Sequence, residues 1–306
     1  MNSLRQNETS EFQVTVEDAA VQWLAWMRDY RKRSLLTIRA YTQTLAAFHG
    51  FVGTRFLGAV TYDDVELFVG RPRRGGMTPA AATVNRDLVA LRSFFQWCVN
   101  KNLLADSPAA LVHGPPIKNR QPRPIPDGVW VQWWDGRLPE SLRLALGLGF
   151  FGGLRRAEIV ALTSDQIQDG KIVNFVRKGG GEHSLPLADM IEIVADRHPQ
   201  VAGKLDLFWA ALAERKRHDG KLLGWRLPGP DEMNRRITTY ARRNDLPLFT
   251  PHQLRHSAAT NLVRSGVPIH LVAGLMNHSN VTMTMRYVAS GGEQLSEWKR
   301  TLNDNG

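Results

Sequence analysis

The feature that most constrains the fold is a proline-rich stretch near the middle of the chain, HGPPIKNRQPRPIP at residues 113–126. Five of the 16 prolines lie there. Proline lacks the backbone N–H donor and imposes extended geometry on its neighbours, so this stretch belongs neither to a helix interior nor to a central strand. It predicts a linker between two domains, at residues 14–112 and 127–306, with a flexible N-terminal tail at residues 1–13.

Before the linker the hydrophobic spacing is helical throughout. Thr15 is followed three residues later by Asp18, a pattern typical of a helix start, and a second start is expected at Thr61. Thr78 and Pro79 are expected to begin the last helix of the domain. Two helices carry apolar residues every three or four positions: Ile38, Tyr41, Leu45, Phe48 and Val52, then Val84, Leu88, Leu91, Phe95 and Cys98. The sequence therefore predicts an all-helical first domain in which Cys98 is a core residue and not a nucleophile.

After the linker the pattern is mixed. Helical spacing dominates, but residues 171–187, KIVNFVRKGGGEHSLPL, predict a strand, a glycine-rich turn and a second strand. The predicted fold class is therefore mainly α, with a small β-hairpin in an α+β C-terminal domain.

The balance of charge predicts a polyanionic partner. The formal net charge is +10, with 13 basic and 10 acidic side chains in residues 1–113, and 26 and 19 in residues 114–306. Nucleic acid is the first candidate for such a chain and an anionic membrane surface the second. Basic residues of the linker are predicted to run along phosphates, although an incidentally charged, solvated linker is the alternative. The predicted DNA contacts are Lys118, Arg120, Arg123, Arg86 and Arg92.

Several classes of protein are excluded by composition. A single cysteine, Cys98, cannot form an internal disulfide framework or a multi-thiolate metal site. The first residues contain no basic segment followed by an apolar one, so we see no secretory signal. The longest apolar stretch, residues 142–154, is too short to span a bilayer and contains Arg143 and four glycines. We expect a soluble, cytoplasmic protein.

Polar side chains in four separated segments of the second domain suggest chemistry. Arg155 and Glu158 share a helix face after a glycine pair, which would orient the guanidinium for phosphate; a surface ion pair is the alternative. Lys178 precedes three glycines and could swing towards a ligand, or be an ordinary turn lysine. His278 and Tyr287 follow near the C-terminus, where a tyrosine usually serves packing.

The remaining segment, TPHQLRHSAATNL at residues 250–262, places His252, Arg255 and His256 within one helical turn. Two histidines four residues apart invite a zinc interpretation. The general base of the metalloprotease motif is absent, because Gln253 occupies its place, and no third ligand is spaced nearby. We therefore expect no metal and no cofactor.

Taken together, two arginines, a lysine, two histidines and a late tyrosine are what phosphodiester transfer through a phosphotyrosine requires. In type and order these residues resemble the catalytic set of the tyrosine recombinase (phage integrase) family, in its Xer-like two-domain form. The helical first domain resembles the core-binding domain of that family. The resemblance spans residues 14–300. Its catalytic positions here are Arg155, Glu158, Lys178, His252, Arg255, His278 and Tyr287.

The resemblance implies a site-specific DNA recombinase that acts as a homotetramer on double-stranded DNA at a core recombination site, and is a monomer in solution. It also implies that the tail after Tyr287 docks on a neighbouring subunit through Leu295, Trp298 and Leu302, although docking on its own domain is the alternative. Asn277 stands where the family usually has glycine before the histidine. Gly181 and His183 stand where it often has basic residues.

Two other functions remain open at this point. A type IB topoisomerase would use the same groups to nick and swivel DNA without a specific site. A catalytically idle DNA-binding module would retain only the fold.

Overall fold

The computed structural model describes residues 14–73, 75–117, 123–176, 182–216, 220–225, 230–278 and 284–285. The chain divides into two compact units, Met1–Asn119 and Arg120–Gly306, and the division falls inside the proline-rich stretch. The exact limits that the sequence suggests for the two domains stay predictions.

The first unit is helical wherever it is described, apart from short 3-10 and loop connections. Thr15 is the predicted cap of the first helix, and its hydroxyl accepts the N–H of Asp18 at 3.1 Å. Thr61 caps the third helix together with the carboxylate of Asp64, which accepts the Thr61 N–H at 2.9 Å. The helices are α1 Val16–Asp29, α2 Leu35–Val52, α3 Tyr62–Gly70 and α4 Ala81–Asn100.

The predicted start of α4, with Thr78 as cap and Pro79 as first helical residue, is two residues too early. The helix begins at Ala81, its cap is Ala80, and no side chain caps it. The φ that proline imposes suits an extended segment as well as a first helical turn, so Thr78-Pro79 did not discriminate between them.

Aromatic rings fill the core of the first unit. Phe48 of α2 meets Phe68 of α3 at a centroid distance of 5.0 Å and Phe95 of α4 at 5.8 Å, both edge to face. Cys98 is fully buried beside them, and burial raises the pKa of its thiol to about 12. The prediction that Cys98 is a core residue is confirmed.

The second unit is mainly helical with one small sheet. In chain order its elements are α5 Asp127–Asp135, α6 Glu140–Phe150, α7 Arg156–Ala161, β1 Ile167–Gln168, β2 Lys171–Val176, β3 Glu182–Leu185, α8 Leu187–Asp196, α9 Pro199–Ala202, α10 Leu205–Lys216, α11 Pro230–Arg243, α12 Pro251–Arg264 and α13 Ile269–Leu275. The predicted fold class, an all-α unit followed by a mainly α unit with a small antiparallel sheet, is confirmed.

The sheet differs from the predicted hairpin in two ways. β1 adds a third antiparallel strand, with Ile167 paired to Ile172. The second predicted strand ends at Leu185, because Pro186 follows it and Leu187 begins α8. Ile172 of β2 pairs with Leu185 of β3, and both are buried.

Helix α6 is the centre of the second unit, since every residue from Ser141 to Phe150 is buried. Two of its glycines let neighbouring helices approach. A methyl group at Gly147 would lie 2.5 Å from the ring of Phe208 on α10, and one at Gly149 would lie 3.0 Å from Leu254 on α12. The helix that carries His252 and Arg255 therefore packs closely on α6.

One residue of the predicted linker belongs to the core. Ile125 is 3% exposed and its N–H donates to Oγ of Ser257 on α12 at 2.8 Å. The linker prediction is wrong at this position, because an apolar side chain between prolines gains free energy when it is buried against α12. Among the described residues, no helix has the length and apolar character needed to cross a membrane.

A buried carboxylate organises charge in the first unit. Asp87 on α4 is 2% exposed and accepts the guanidinium of Arg73 at 2.6 Å and the hydroxyl of Thr44 at 3.1 Å. Arg71 lies 3.9 Å and Arg86 3.3 Å from the same carboxylate. The ion pairs tie α4 to the segment between α3 and α4, and the hydrogen bond from Thr44 ties it to α2.

We expect Asp87→Asn to lower the free energy of unfolding of the first unit by about 1–3 kcal/mol, because the partly buried guanidiniums of Arg71 and Arg73 lose their counter-charge. Native-state hydrogen exchange of α2 and α4 in the full chain measures the change. Asp106→Asn, at an exposed position, is the control and should leave exchange unaltered. Equal exchange in the two variants would show that the carboxylate does not stabilise the unit.

Candidate active site

The first part of the site lies between α6 and α7. Gly153 has a φ of +64°, and a methyl group there would lie 2.4 Å from the side chain of Met276. Arg155 caps α7, and the carboxylate of Glu158 accepts both its backbone N–H at 2.7 Å and its guanidinium at 2.9 Å. Glu158 is 7% exposed and therefore holds Arg155 in one direction.

The second part is the start of α12. Thr250 caps the helix, and its N–H donates to the side-chain oxygen of Gln253 at 2.9 Å. Gln253 stands where the metalloprotease motif has glutamate, and here its side chain completes the N-terminal cap of α12. Arg255 as a residue is 3% exposed, and its guanidinium donates to the carbonyl of Gly153 at 2.7 Å and to the carbonyl of Met276. A buried arginine held by two carbonyls has a fixed orientation.

The third part is the end of α13, where the chain forms a Schellman cap. The N–H of His278 donates to the carbonyl of Ala273 at 3.0 Å, and the N–H of Asn277 donates to that of Gly274 at 2.9 Å. Asn277 has a φ of +46°, in the left-handed region that favours glycine and tolerates asparagine. This explains both the usual glycine at this position and the residue that replaces it here.

The same cap binds both arginines. Its Met276 carbonyl accepts from Arg255, and the next carbonyl, that of Asn277, accepts from Arg155 at 2.8 Å. Two guanidiniums that are 100 residues apart in the sequence thereby converge on one turn of backbone. Each guanidinium has five N–H donors in a planar fork, so the pair can also bind an anion such as a phosphate.

Three histidines complete the cluster. The rings of His252 and His256 lie 4.3 Å apart between centroids. Burial and the positive charges of Arg255 and Arg155 lower the pKa of His252. Burial, His252 and Arg255 lower the pKa of His256 to about 4. Burial and the two arginines likewise lower the pKa of His278 to about 4. His256 and His278 are therefore neutral at pH 7.

His278 also contacts a residue that the sequence did not single out. Its Nδ1 lies 2.7 Å from the hydroxyl of Thr284, which is completely buried. Thr284 precedes Tyr287 by three residues.

The structure thus brings together five of the predicted catalytic residues: Arg155, Glu158, His252, Arg255 and His278. Lys178 and Tyr287 lie outside the described residues, as do Lys118 and Arg120 and the tail with Leu295, Trp298 and Leu302. Within the described ranges, no group of three His, Cys, Asp or Glu side chains is arranged to hold a metal ion.

The other predicted DNA contacts have different surroundings. Arg123 is exposed, and Arg86 is exposed on α4. The guanidinium of Arg92 is partly buried and donates to the carbonyls of Ala109 at 3.3 Å and Val112, so it tethers the segment after α4. DNA contact by these three residues stays a prediction.

Comparison with known proteins finds two matching family models. The phage integrase family matches residues 135–293, and the N-terminal SAM-like domain of phage integrases matches residues 20–102. The chain belongs to the phage integrase family.

Relatives and solved structures extend over most of the chain. The tyrosine recombinase XerC of Rhodospirillum centenum is 26% identical over 308 residues, covering 91% of this chain and 84% of that protein. A lambda integrase dimer bound to a COC′ core site is 18% identical and covers 91% of this chain and 97% of that one, with a TM-score of 0.70. A lambda integrase tetramer bound to a Holliday junction is 16% identical and covers 92% and 84%, with a TM-score of 0.68.

The protein is accordingly a tyrosine-type site-specific DNA recombinase, as the sequence predicted. The alternatives, a type IB topoisomerase and an idle DNA-binding module, are not favoured by its relatives.

Sequence reasoning missed the groups that hold the site together. The carbonyls of Gly153, Met276 and Asn277 carry no signal in a side-chain pattern, because backbone acceptors exist at every residue. The one available signal was at Asn277: a position where the family usually has glycine and this chain has asparagine is typical of a left-handed residue. Thr284 carried no signal beyond its place before the tyrosine.

We expect Asn277→Gly to keep the rate of strand cleavage, because glycine adopts a positive φ without strain. Asn277→Val should lower this rate more than it lowers DNA affinity. A branched side chain at positive φ costs about 1–3 kcal/mol, and the relaxed cap would turn its carbonyls away from the arginines. Single-turnover cleavage and equilibrium DNA binding measure the two quantities. Equal rates in both variants would show that the cap does not orient the guanidiniums.

The histidine pKa values predict how stability depends on pH. His256 and His278 have a usual pKa of 6.5 and a folded pKa of about 4, so between these values the unfolded chain binds more protons than the folded one. Without DNA, the free energy of unfolding should therefore fall as the pH drops below about 6.5. Urea unfolding at about pH 5 and pH 7.5 measures this, and His256→Gln should narrow the difference. The exposed control His270→Gln should leave it unchanged; an equal effect of both substitutions would contradict the assignment.

Proposed function

We propose that this site cleaves and rejoins double-stranded DNA at a core recombination site through a 3′-phosphotyrosyl intermediate on Tyr287. The observation that carries the proposal is the α13 cap, whose consecutive carbonyls hold Arg155 and Arg255 immediately before His278. Two fixed guanidiniums beside an imidazole form a binding place for one phosphate.

The reaction is a transesterification in which charge moves onto phosphate oxygens. Oη of Tyr287 bonds to the scissile phosphorus while the bond to the 5′-oxygen breaks. Negative charge grows on the non-bridging oxygens, and Arg155 and Arg255 stabilise it without reorganisation, because their orientation is set before the DNA binds. The ester keeps the energy of the broken bond, so rejoining requires neither ATP nor a metal ion.

Each remaining residue has one role in this scheme. His252 takes the tyrosine proton, and its lowered pKa supports this role because a neutral imidazole is an acceptor. Lys178 gives a proton to the leaving 5′-oxygen. His278 donates a hydrogen bond to the phosphate, and Glu158 positions Arg155.

DNA binding uses the positive charge of both domains. The net charge of +10 attracts the phosphate backbone, and phosphate contacts fix position without reading sequence. Arg86 and the linker residues Lys118, Arg120 and Arg123 are the proposed phosphate contacts. Arg92 is the weakest of the proposed set, since its guanidinium already binds two carbonyls.

The working assembly is a homotetramer on DNA formed from monomers in solution, located in the cytoplasm of a bacterium or in a phage or mobile-element context. The tetramer of lambda integrase on a Holliday junction supports this assembly. In it, the tail with Leu295, Trp298 and Leu302 would connect each subunit to the next.

Tyr287→Phe tests the nucleophile, because it removes only the hydroxyl. We expect Tyr287→Phe to form no covalent adduct with a labelled core-site duplex and to bind DNA with an affinity close to that of the unaltered protein. The unaltered protein should form the adduct even in excess chelator. Tyr30→Phe, at an exposed position of the first unit, is the control and should form the adduct normally. An adduct of Tyr287→Phe that survives denaturant would show that another residue is the nucleophile.

A further inference from the structure

Thr284 is the buried partner of a residue in the site. Its side chain has no exposure to solvent, and its hydroxyl lies 2.7 Å from Nδ1 of His278. It stands three residues before Tyr287, so the hydrogen bond joins the end of the α13 cap to the segment that leads to the tyrosine.

The protonation state of His278 determines what this hydrogen bond can do. Burial, the two arginines and the two other histidines lower its pKa to about 4, so the ring is neutral at pH 7. A neutral imidazole carries one proton, on either Nδ1 or Nε2, and the hydrogen bond made by one nitrogen decides which of them holds it. Only a protonated nitrogen can donate to a phosphate oxygen.

The buried hydroxyl decides between the two tautomers. A hydroxyl has one proton to donate, and a buried polar hydrogen without an acceptor is costly. Nδ1 of His278 lies at donating distance from Thr284 and can accept that proton only if the ring proton is on Nε2. With Nδ1 bound to Thr284, Nε2 is the ring nitrogen that carries the proton and can donate it to a phosphate oxygen when DNA binds.

We propose that Thr284 is a positioning residue that donates its hydroxyl proton to Nδ1 of His278 and thereby keeps the imidazole proton on Nε2, directed to the scissile phosphate. The inference rests on the proposed function, since it specifies how His278 becomes a hydrogen-bond donor. Thr284 acts through His278 and does not touch the DNA.

The test compares Thr284→Val, which keeps the shape and loses the hydroxyl, with Thr284→Ser, which keeps the hydroxyl. Removing one preorganised donor slows an enzyme by roughly 100- to 1000-fold. With His278 still present, we expect Thr284→Val to slow single-turnover cleavage by about 10-fold or more, because the wrong tautomer becomes populated. Thr284→Ser should retain most of the rate, and DNA affinity should change little in both variants.

A double-mutant cycle separates positioning from packing. In a His278→Ala background, Thr284→Val should cause no further loss of cleavage, because its effect passes through the imidazole. An undiminished loss in that background would overturn the proposal. If His278→Ala alone left the cleavage rate unchanged, the proposed role of His278 in the reaction would be wrong. The tautomer of His278 would still be determined by nitrogen NMR.

Nitrogen NMR of the full chain with ring-labelled histidine reports the tautomer directly. The nine histidines are resolved by comparison with His278→Gln, which identifies the signals of His278. We expect the proton on Nε2 in the unaltered protein and a shift towards Nδ1 in Thr284→Val. A proton on Nδ1 of His278 in the unaltered protein would overturn the proposal, and this result does not depend on the folding of any Thr284 variant.

Discussion

The C-terminal cap of α13 is the interaction on which the rest of the site depends. A Schellman cap fixes the backbone of Met276 and Asn277, and the two carbonyls then point at Arg255 and Arg155. The left-handed conformation of Asn277 makes this possible, because only a positive φ turns the chain at that point. One turn of backbone thus determines the orientation of two side chains from distant parts of the sequence.

The packing of α6 brings those distant parts together. The glycines of α6 allow α10 and α12 to lie close to it. Gly153, which follows α6, leaves room for the side chain of Met276, and the carbonyl of Gly153 accepts a hydrogen bond from Arg255. A side chain at either Gly149 or Gly153 would displace α12 or the α13 cap. The glycines therefore contribute to the site through geometry, although none of them carries a reactive group.

Charge in the site is arranged to meet an anion. Two guanidiniums lie beside three half-buried histidines, and like charge together with burial keeps the histidine pKa values low. Among the residues that the structure describes, neutral carbonyls and the carboxylate of Glu158 hold the two arginines. An anionic phosphate would compensate this excess of positive charge, which favours its binding and stabilises the charge that develops during transfer.

The sequence by itself determined the class of fold and the helical periodicity of the first unit, and it predicted the catalytic side chains, because these depend on local spacing and residue type. The proposed roles of Lys178 and Tyr287 rest on the sequence alone. The start of α4, the third strand, the burial of Ile125 and the partially buried state of Arg92 were decided by tertiary packing. So were the α13 cap around the two arginines and the bond from Thr284 to His278. These features depend on backbone carbonyls and buried hydroxyls, whose partners are set by where distant segments meet and not by their own sequence.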